Sequence, residues 1–211
     1  MNFLLRKLMA NASIRFGASV LLLLILVAML APWLGTVDPA AMDSGNINTL
    51  SGTVGAFAML DGSSVAHTFW MGADNFGRDI YSRVLFGTRV SLLIGLFTAS
   101  VALLVGGLLG MLAGYFRAMD AVLMRVMDGL MAIPSILLAI ALVAALGAQL
   151  WTVVVAIAIP EIPRVTRLVR SLVLTLREEP FVEAARALAT PTPVILMRHI
   201  LPNAMAPLIV Q

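Results

Sequence analysis

Three stretches of this chain hold no charged residue and are each long enough to cross a bilayer: residues 16–34, 90–116 and 129–160, of 19, 27 and 32 residues. At ~1.5 Å of rise per residue, the first makes a helix of about 28 Å, close to the thickness of one hydrocarbon core. A water-soluble fold of 211 residues, 61% hydrophobic and 12% charged, has no core able to hide that much apolar surface. Disorder is excluded because it needs low hydrophobicity. The reading that remains is an all-α integral membrane protein. Residues 16–34 outrun the apolar core of a secretory leader, and Pro32-Trp33 replaces a small-residue cleavage site, so they read as a retained span.

The third run is too long for one helix. Gly147-Ala148-Gln149 breaks it, and the apolar pattern continues past Pro160. Two spans joined by a tight hairpin follow, 124–146 and 150–172, so about four spans are expected.

The net charge of +3 does not gather into one basic patch, which sets nucleic acid aside. The charges fall between the spans and orient them. Arg6, Lys7 and Arg15 precede the first span and place the N-terminus inside. Residues 35–89 carry Asp38, Asp43, Asp61, Asp74 and Asp79 against Arg78, Arg83 and Arg89, and read as outside. Arg117 and Arg125 mark an inner turn, and Arg164, Arg167, Arg170, Arg177, Arg186 and Arg198 an inner segment. The expected parts are 1–34, the N-terminus and first span; 35–89, an outer loop; and 90–211, three spans with an inner loop at 177–203. Residues 43–64 read as irregular connection, and the chain becomes helix-like from Asp79.

Chemistry-bearing residues are sparse. There is no Cys, hence no disulfide or thiolate site. His67 and His199 are far apart and expected on opposite sides, which argues against a His-based metal site or triad. Gly106, Gly110 and Gly114 make a small-xxx-small face for close helix packing. Glu161 and Arg164 sit at i,i+3 spacing near the inner end of the fourth span. They read first as a local pair with Arg164 snorkelling outward, and second as candidates for a transport pathway. No convergent set of acid, base and metal ligands supports a membrane enzyme.

Residues 177–211 hold the most informative stretch. Pro180 suits a helix's first turn, Phe181 to Leu188 favours helix, and Thr190-Pro191-Thr192-Pro193 breaks it. A Thr cap followed by Pro restarts a helix over 194–200, and Pro202 interrupts again. Two short helices joined by a tight turn are expected, either as an amphipathic connector or as a knob for a partner.

Glu183-Ala184-Ala185, Ala189 and Leu201-Pro202 resemble the EAA loop of ABC importer permeases, with Ala189 at the position of the motif's Gly. His199 within Arg198-His199-Ile200-Leu201-Pro202-Asn203 is similar to the dipeptide/oligopeptide/nickel subgroup. A second stretch matches the same subgroup: Gly72-Ala73-Asp74, then Gly77-Arg78-Asp79, Ser82-Arg83, Gly87, Arg89 and Ser91-Leu92, with Ala73 replacing Thr. Read bottom-up, Arg78, Asp79, Ser82 and Arg83 stand at helical spacings that permit local ion pairs and hydrogen bonds.

The resemblance implies a six-span type I importer permease in a bacterial inner membrane, with the N-terminus cytoplasmic. It implies a cytoplasmic helix-turn-helix coupling loop that docks on an ATPase subunit. The implied partners are a second permease subunit, two ATPase subunits, an extracytoplasmic substrate-binding protein and membrane lipid. No cofactor is expected in this chain, since ATP is bound by the partners, and no P-loop is present. Di- or oligopeptides are the expected cargo. A nickel or other small-solute importer and a non-transporting scaffold are the alternatives. The implied fold has two spans beyond Gln211, about 40 residues at ~20 per span, so residues 1–211 are expected to be an incomplete piece that does not support uptake.

Overall fold

The computed structural model describes residues 12–204, so the flanking Arg6 and Lys7 lie outside the described residues. Two compact units result, Met1–Leu93 and Ile94–Gln211.

In the first unit, α1 (Ala12–Leu30) closes in a 3-10 turn, Ala31–Trp33, with Pro32 in its first positions. Proline has no N–H, so the carbonyl four residues earlier, that of Ala28, loses its helical donor. Arg89 donates from Nε to that oxygen at 2.6 Å, which ties α1 to the start of α2 (Ile80–Tyr115). Between them lies an antiparallel hairpin, β1 (Thr53–Ala58) and β2 (Ser64–Phe69). One hairpin face carries Phe57, His67 and Phe69, with ring centroids 5.1–6.0 Å apart. Phe57 and Phe69 pack with Val37, Ala41 and Ala73 into a small core.

The expectation of irregular connection across 43–64 is corrected here, because β1 begins inside it. Its sequence, Thr-Val-Gly-Ala-Phe-Ala, has one large inward residue, Phe57. The strand becomes a strand by pairing with β2, whose Val65, His67 and Phe69 complete the face. The helix-like start at Asp79 is observed: its carboxylate accepts from the Ser82 N–H at 2.7 Å, capping the first turn of α2.

In the second unit, α3 (Arg117–Met131), α4 (Ser135–Leu146) and α5 (Leu150–Leu176) follow. The span expected over 124–146 is two helices, α3 and α4, meeting at 85°. Pro134 is the reason, since it cannot donate and bars Ile133 from continuing the helix. The hairpin at Gly147 is observed, with Gly147 at φ 88°, and α4 packs back on α5. Pro160 and Pro163 lie inside α5 without breaking it.

By length and apolarity two helices qualify as spans among the described residues, or three if the bent pair counts as one. That differs from the expected four. Four charges within α5, Glu161, Arg164, Arg167 and Arg170, keep that helix out of the count. Arg170 forms a two-pronged pair with Asp120, and Arg167 pairs with Asp128, joining α5 to α3.

The small-residue face does what its spacing predicts. A Cβ added at Gly106 would stand 2.8 Å from Val165 Cβ, and one at Gly114 2.7 Å from Val173 Cβ. Helices α2 and α5 therefore touch backbone to backbone. A core of Met111, Val169, Val173, Val182, Ala185, Ile195 and Ile200 sits at the end of that contact.

Candidate functional site

Two clusters gather the residues singled out in the sequence. The first lies in the Met1–Leu93 unit. Asp74 heads a turn in which its Oδ1 accepts from the N–H groups of Phe76 (2.9 Å) and Arg78 (3.0 Å). Its Oδ2 accepts from Arg78 Nε and Nη2, both at 2.8 Å, and Arg83 Nη1 stands 3.9 Å away. Desolvation pushes this carboxyl upward, but the Arg78 and Phe76 hydrogen bonds and the Arg78 charge outweigh it and hold it at about 2. Gly77 adopts φ 71° and packs on Asp43.

Asp79 is wholly buried. Its Oδ2 receives the Ser82 hydroxyl at 2.5 Å, and Ser82 Oγ in turn accepts from the Val37 N–H at 2.8 Å. His67 Nε2 lies 3.3 Å from the same carboxylate oxygen. Sequence reasoning set His67 aside for lack of a nearby partner; the hairpin brings it within contact of a residue twelve positions on. With its hydroxyl committed and no exposed surface, Ser82 builds the fold here and is not a nucleophile. Asp43 is a second residue that sequence reasoning passed over. Its carboxylate joins the Ser44–Asn46 turn to the end of β1, accepting from Ala58 N–H at 2.8 Å and Gly45 N–H at 2.9 Å. Chiefly the Ala58 hydrogen bond lowers its pKa, with burial opposing.

The second cluster is the helix pair after α5. Helix α6 (Pro180–Ala187) starts with Glu179 as cap and Pro180 in its first turn. Arg177 donates to the carbonyl of Gly114 at 3.1 Å, and Arg186 lies 5.3 Å from the Tyr115 ring, fixing the entry to α6. Val182 and Ala185 face inward and Glu183 and Ala184 outward. Ala185 is 6% exposed and packed in the core with Ile195 and Ile200. At 3.6 residues per turn, Val182 and Ala185 share one side of α6, and that side faces the core. Glu183 makes no ion pair or side-chain hydrogen bond among the described residues.

The turn after α6 ends in a Schellman arrangement. Thr190 N–H donates to Ala185 O at 3.1 Å and Ala189 N–H to Arg186 O at 2.9 Å. The geometry requires a left-handed residue, and Ala189 fills it at φ 54°. A left-handed alanine costs about 1 kcal/mol or more relative to glycine. Ala189→Gly is therefore expected to stabilise the helix pair by about 1 kcal/mol. The measurement is protease resistance of segment 177–204 against temperature, and an unchanged midpoint would mean the turn is not under strain.

The second helix, α7 (Thr192–Val194), continues as a π segment, Ile195–Ile200. Neither threonine side chain caps it; Pro191 stands at the cap. Pro202 does not interrupt, since helix continues through residues 201–204. The wide π turn just before it accommodates a residue without an N–H. His199 and Leu201 are half-buried, Leu201 packing on the core, while Pro202 is exposed. Leu188 and Met197, exposed at 81% and 61%, were not singled out from the sequence.

Glu161 and Arg164 form the i,i+3 pair at 3.1 Å, with the Arg164 side chain 76% exposed. Among the described residues no three acidic, His or Cys side chains gather as a metal site.

Residues 103–211 match the family described as "Binding-protein-dependent transport system inner membrane component". The chain is 42% identical over 207 residues to a dipeptide transport system permease of Alkalihalophilus pseudofirmus, covering 98% of this chain and 64% of the relative. It is 39% identical over 196 residues to a di/tripeptide transport system permease of Pseudomonas aeruginosa, covering 92% and 62%. A glutathione transport system permease of Pectobacterium atrosepticum is 46% identical over 151 residues, covering 71% and 50%. The chain thus spans at most 64% of the length of these curated relatives.

Proposed function

Because the chain belongs to the family of binding-protein-dependent transport system inner membrane components, we propose that it is a permease subunit of an ATP-driven importer of di- and oligopeptides. The observation that carries the cargo class is alignment over 92–98% of the chain with permeases named for dipeptides and di/tripeptides. The partners on this reading are a second permease, two ATPase subunits that bind the ATP, and a substrate-binding protein.

The exposed side of α6, with Glu183 and Ala184, and the Leu188 tip form the surface offered to an ATPase subunit. Ala184 admits close approach, and the Glu183 carboxylate is free to accept from a basic or amide donor. A push there has a stiff route into the membrane helices. Val182 and Ala185 bear on Val169 and Val173 of α5, whose backbone lies directly on the glycine face of α2. Close-packed interiors transmit such strain. Glu161 and Arg164 pair at 3.1 Å on α5, which supports reading them first as a local structural pair.

Capture of the ATPase subunit of a related dipeptide system tests the docking surface. Glu183→Ala removes a charge-assisted contact worth roughly 1.5–3 kcal/mol, or about 10- to 150-fold in affinity. Ala184→Trp is expected to block capture with little change in stability, whereas Ala185→Trp overfills the core and unfolds the helix pair. Unchanged capture per folded molecule in both Glu183→Ala and Ala184→Trp would remove the docking assignment.

On the same reading the N-terminus and residues 177–203 are cytoplasmic and residues 35–89 extracytoplasmic, as the charge bias supports. The chain has no Cys, so single-cysteine labelling reports cleanly. In intact cells an impermeant maleimide is expected to label Ser63→Cys and not Thr192→Cys; the reverse pattern would invert the topology.

A further inference from the structure

The groove between α1 and the start of α2 holds hydrogen-bond donors, the Arg89 Nη groups, that neither the packing nor the proposed transport cycle uses. It has a volume of 570 Å³ and is lined by Ile25, Ala28, Met29, Trp33, Arg89 and Leu92. Five of the six are apolar or aromatic, and Arg89 is the one charge. A guanidinium offers five N–H donors. Arg89 uses Nε on the Ala28 carbonyl and stacks 5.0 Å from the Phe86 ring centroid. Its Nη groups have no carboxylate or hydrogen-bond partner among the described residues, and the side chain is exposed.

Depth follows from two independent features. Arg89 immediately precedes the uncharged run of residues 90–116, so its charge stands where hydrocarbon gives way to headgroups. Trp33, 78% exposed, closes α1 at the same level, and tryptophan concentrates at that boundary. The site therefore presents free cationic donors at headgroup height above an apolar wall. A dissolved anion would satisfy the donors and leave the wall bare, and a hydrocarbon chain alone would do the reverse.

We propose that this groove binds an anionic phospholipid, its phosphodiester on the Arg89 Nη groups and an acyl chain along Ile25, Met29 and Leu92. Arg89 then has two roles on two sets of atoms: Nε holds α1, and the Nη pair holds the lipid. The inference rests on the chain being embedded in a membrane and does not depend on ATPase docking, so either can fail alone.

The test uses the full chain with Trp70→Phe and Trp151→Phe, which leaves Trp33 as the sole tryptophan. It is reconstituted in vesicles of phosphatidylcholine and phosphatidylglycerol, with brominated acyl chains on one lipid or the other. Quenching of Trp33 is expected to show about a fivefold preference for phosphatidylglycerol, the scale of one charge at a membrane surface. Arg89→Gln should bring the preference to about one. Arg89→Lys keeps the charge but not the planar fork, and should retain most of it. Should Arg89→Gln perturb folding, raising the salt on the unsubstituted Arg89 background serves the same purpose, since screening should erase the preference. Equal quenching by both lipids in that background would overturn the proposal. So would a preference that survives Arg89→Gln or high salt, or one lost in Arg89→Lys as fully as in Arg89→Gln.

Discussion

Gly110→Ala is expected to destabilise the Ile94–Gln211 unit by about 3 kcal/mol, although alanine is the better helix former by about 1 kcal/mol. The added Cβ would stand 2.6 Å from the Thr166 carbonyl oxygen, 2.7 Å from Val169 Cβ and 3.1 Å from the Arg170 N. Two of those atoms are backbone, so no side-chain rotation relieves the overlap. Helix α5 must move away, and the core at Met111, Val169 and Val173 opens with it. Gly107 supplies the control on the same helix, because a Cβ there meets nothing within 4 Å. Gly107→Ala should stabilise by about 0.5–1 kcal/mol. The measurement is the thermal midpoint of both variants in detergent micelles, and shifts of the same sign would refute the close crossing of α2 and α5.

The second large effect is at Gly77. A Cβ there would lie 1.8 Å from the Asp43 carbonyl oxygen and 2.6 Å from its carbon, at a backbone φ of 71°. Left-handed strain and a backbone collision add, so Gly77→Ala should cost on the order of 4 kcal/mol and open the loop between residues 43 and 79. Gly62 has φ 81° with nothing within 4 Å of its Cβ, and Gly62→Ala should cost only about 1 kcal/mol. Proteolysis of the 35–79 segment separates the two. Comparable cleavage of both variants would show that the Asp43 contact is not what Gly77 is needed for.

These glycines show how unevenly the fold was legible. The 106/110/114 spacing announced a close helix contact, because small residues four apart fall on one side of any helix. Nothing in the spacing named α5 as the partner. Likewise Gly77 was visible as part of a motif, but its need for glycine comes from Asp43, brought close by the Asp43 N–H to Gly77 carbonyl hydrogen bond and the folded loop.

The candidate site divides in the same way. Glu183, Ala184 and Ala185 were found together by motif, yet their faces differ: Ala185 belongs to the core and the other two to the surface. Periodicity within eight residues leaves the inward side of so short a helix undecided until Ile195 and Ile200 cover it. Pro202 was expected to stop the chain, and the π turn over Ile195–Ile200 absorbs it instead. His67 looked isolated because a hairpin contact reaches across the loop, which local pattern cannot register.

Local chemistry, then, determined by itself what acts over one helix or one charge cluster. The apolar runs, the Asp79 start of α2, the Gly147 hairpin, the Pro180 start of α6 and the left-handed demand at Ala189 are all of this kind. Each depends on dihedral preference, hydrogen-bond supply or transfer free energy within a few residues. Tertiary structure alone decided the partner of each face. It paired Asp120 with Arg170, buried Ala185 and supplied Arg89 to the carbonyl that Pro32 leaves without a donor. Those outcomes join residues up to 61 positions apart, and no preference confined to a single turn of helix contains that information.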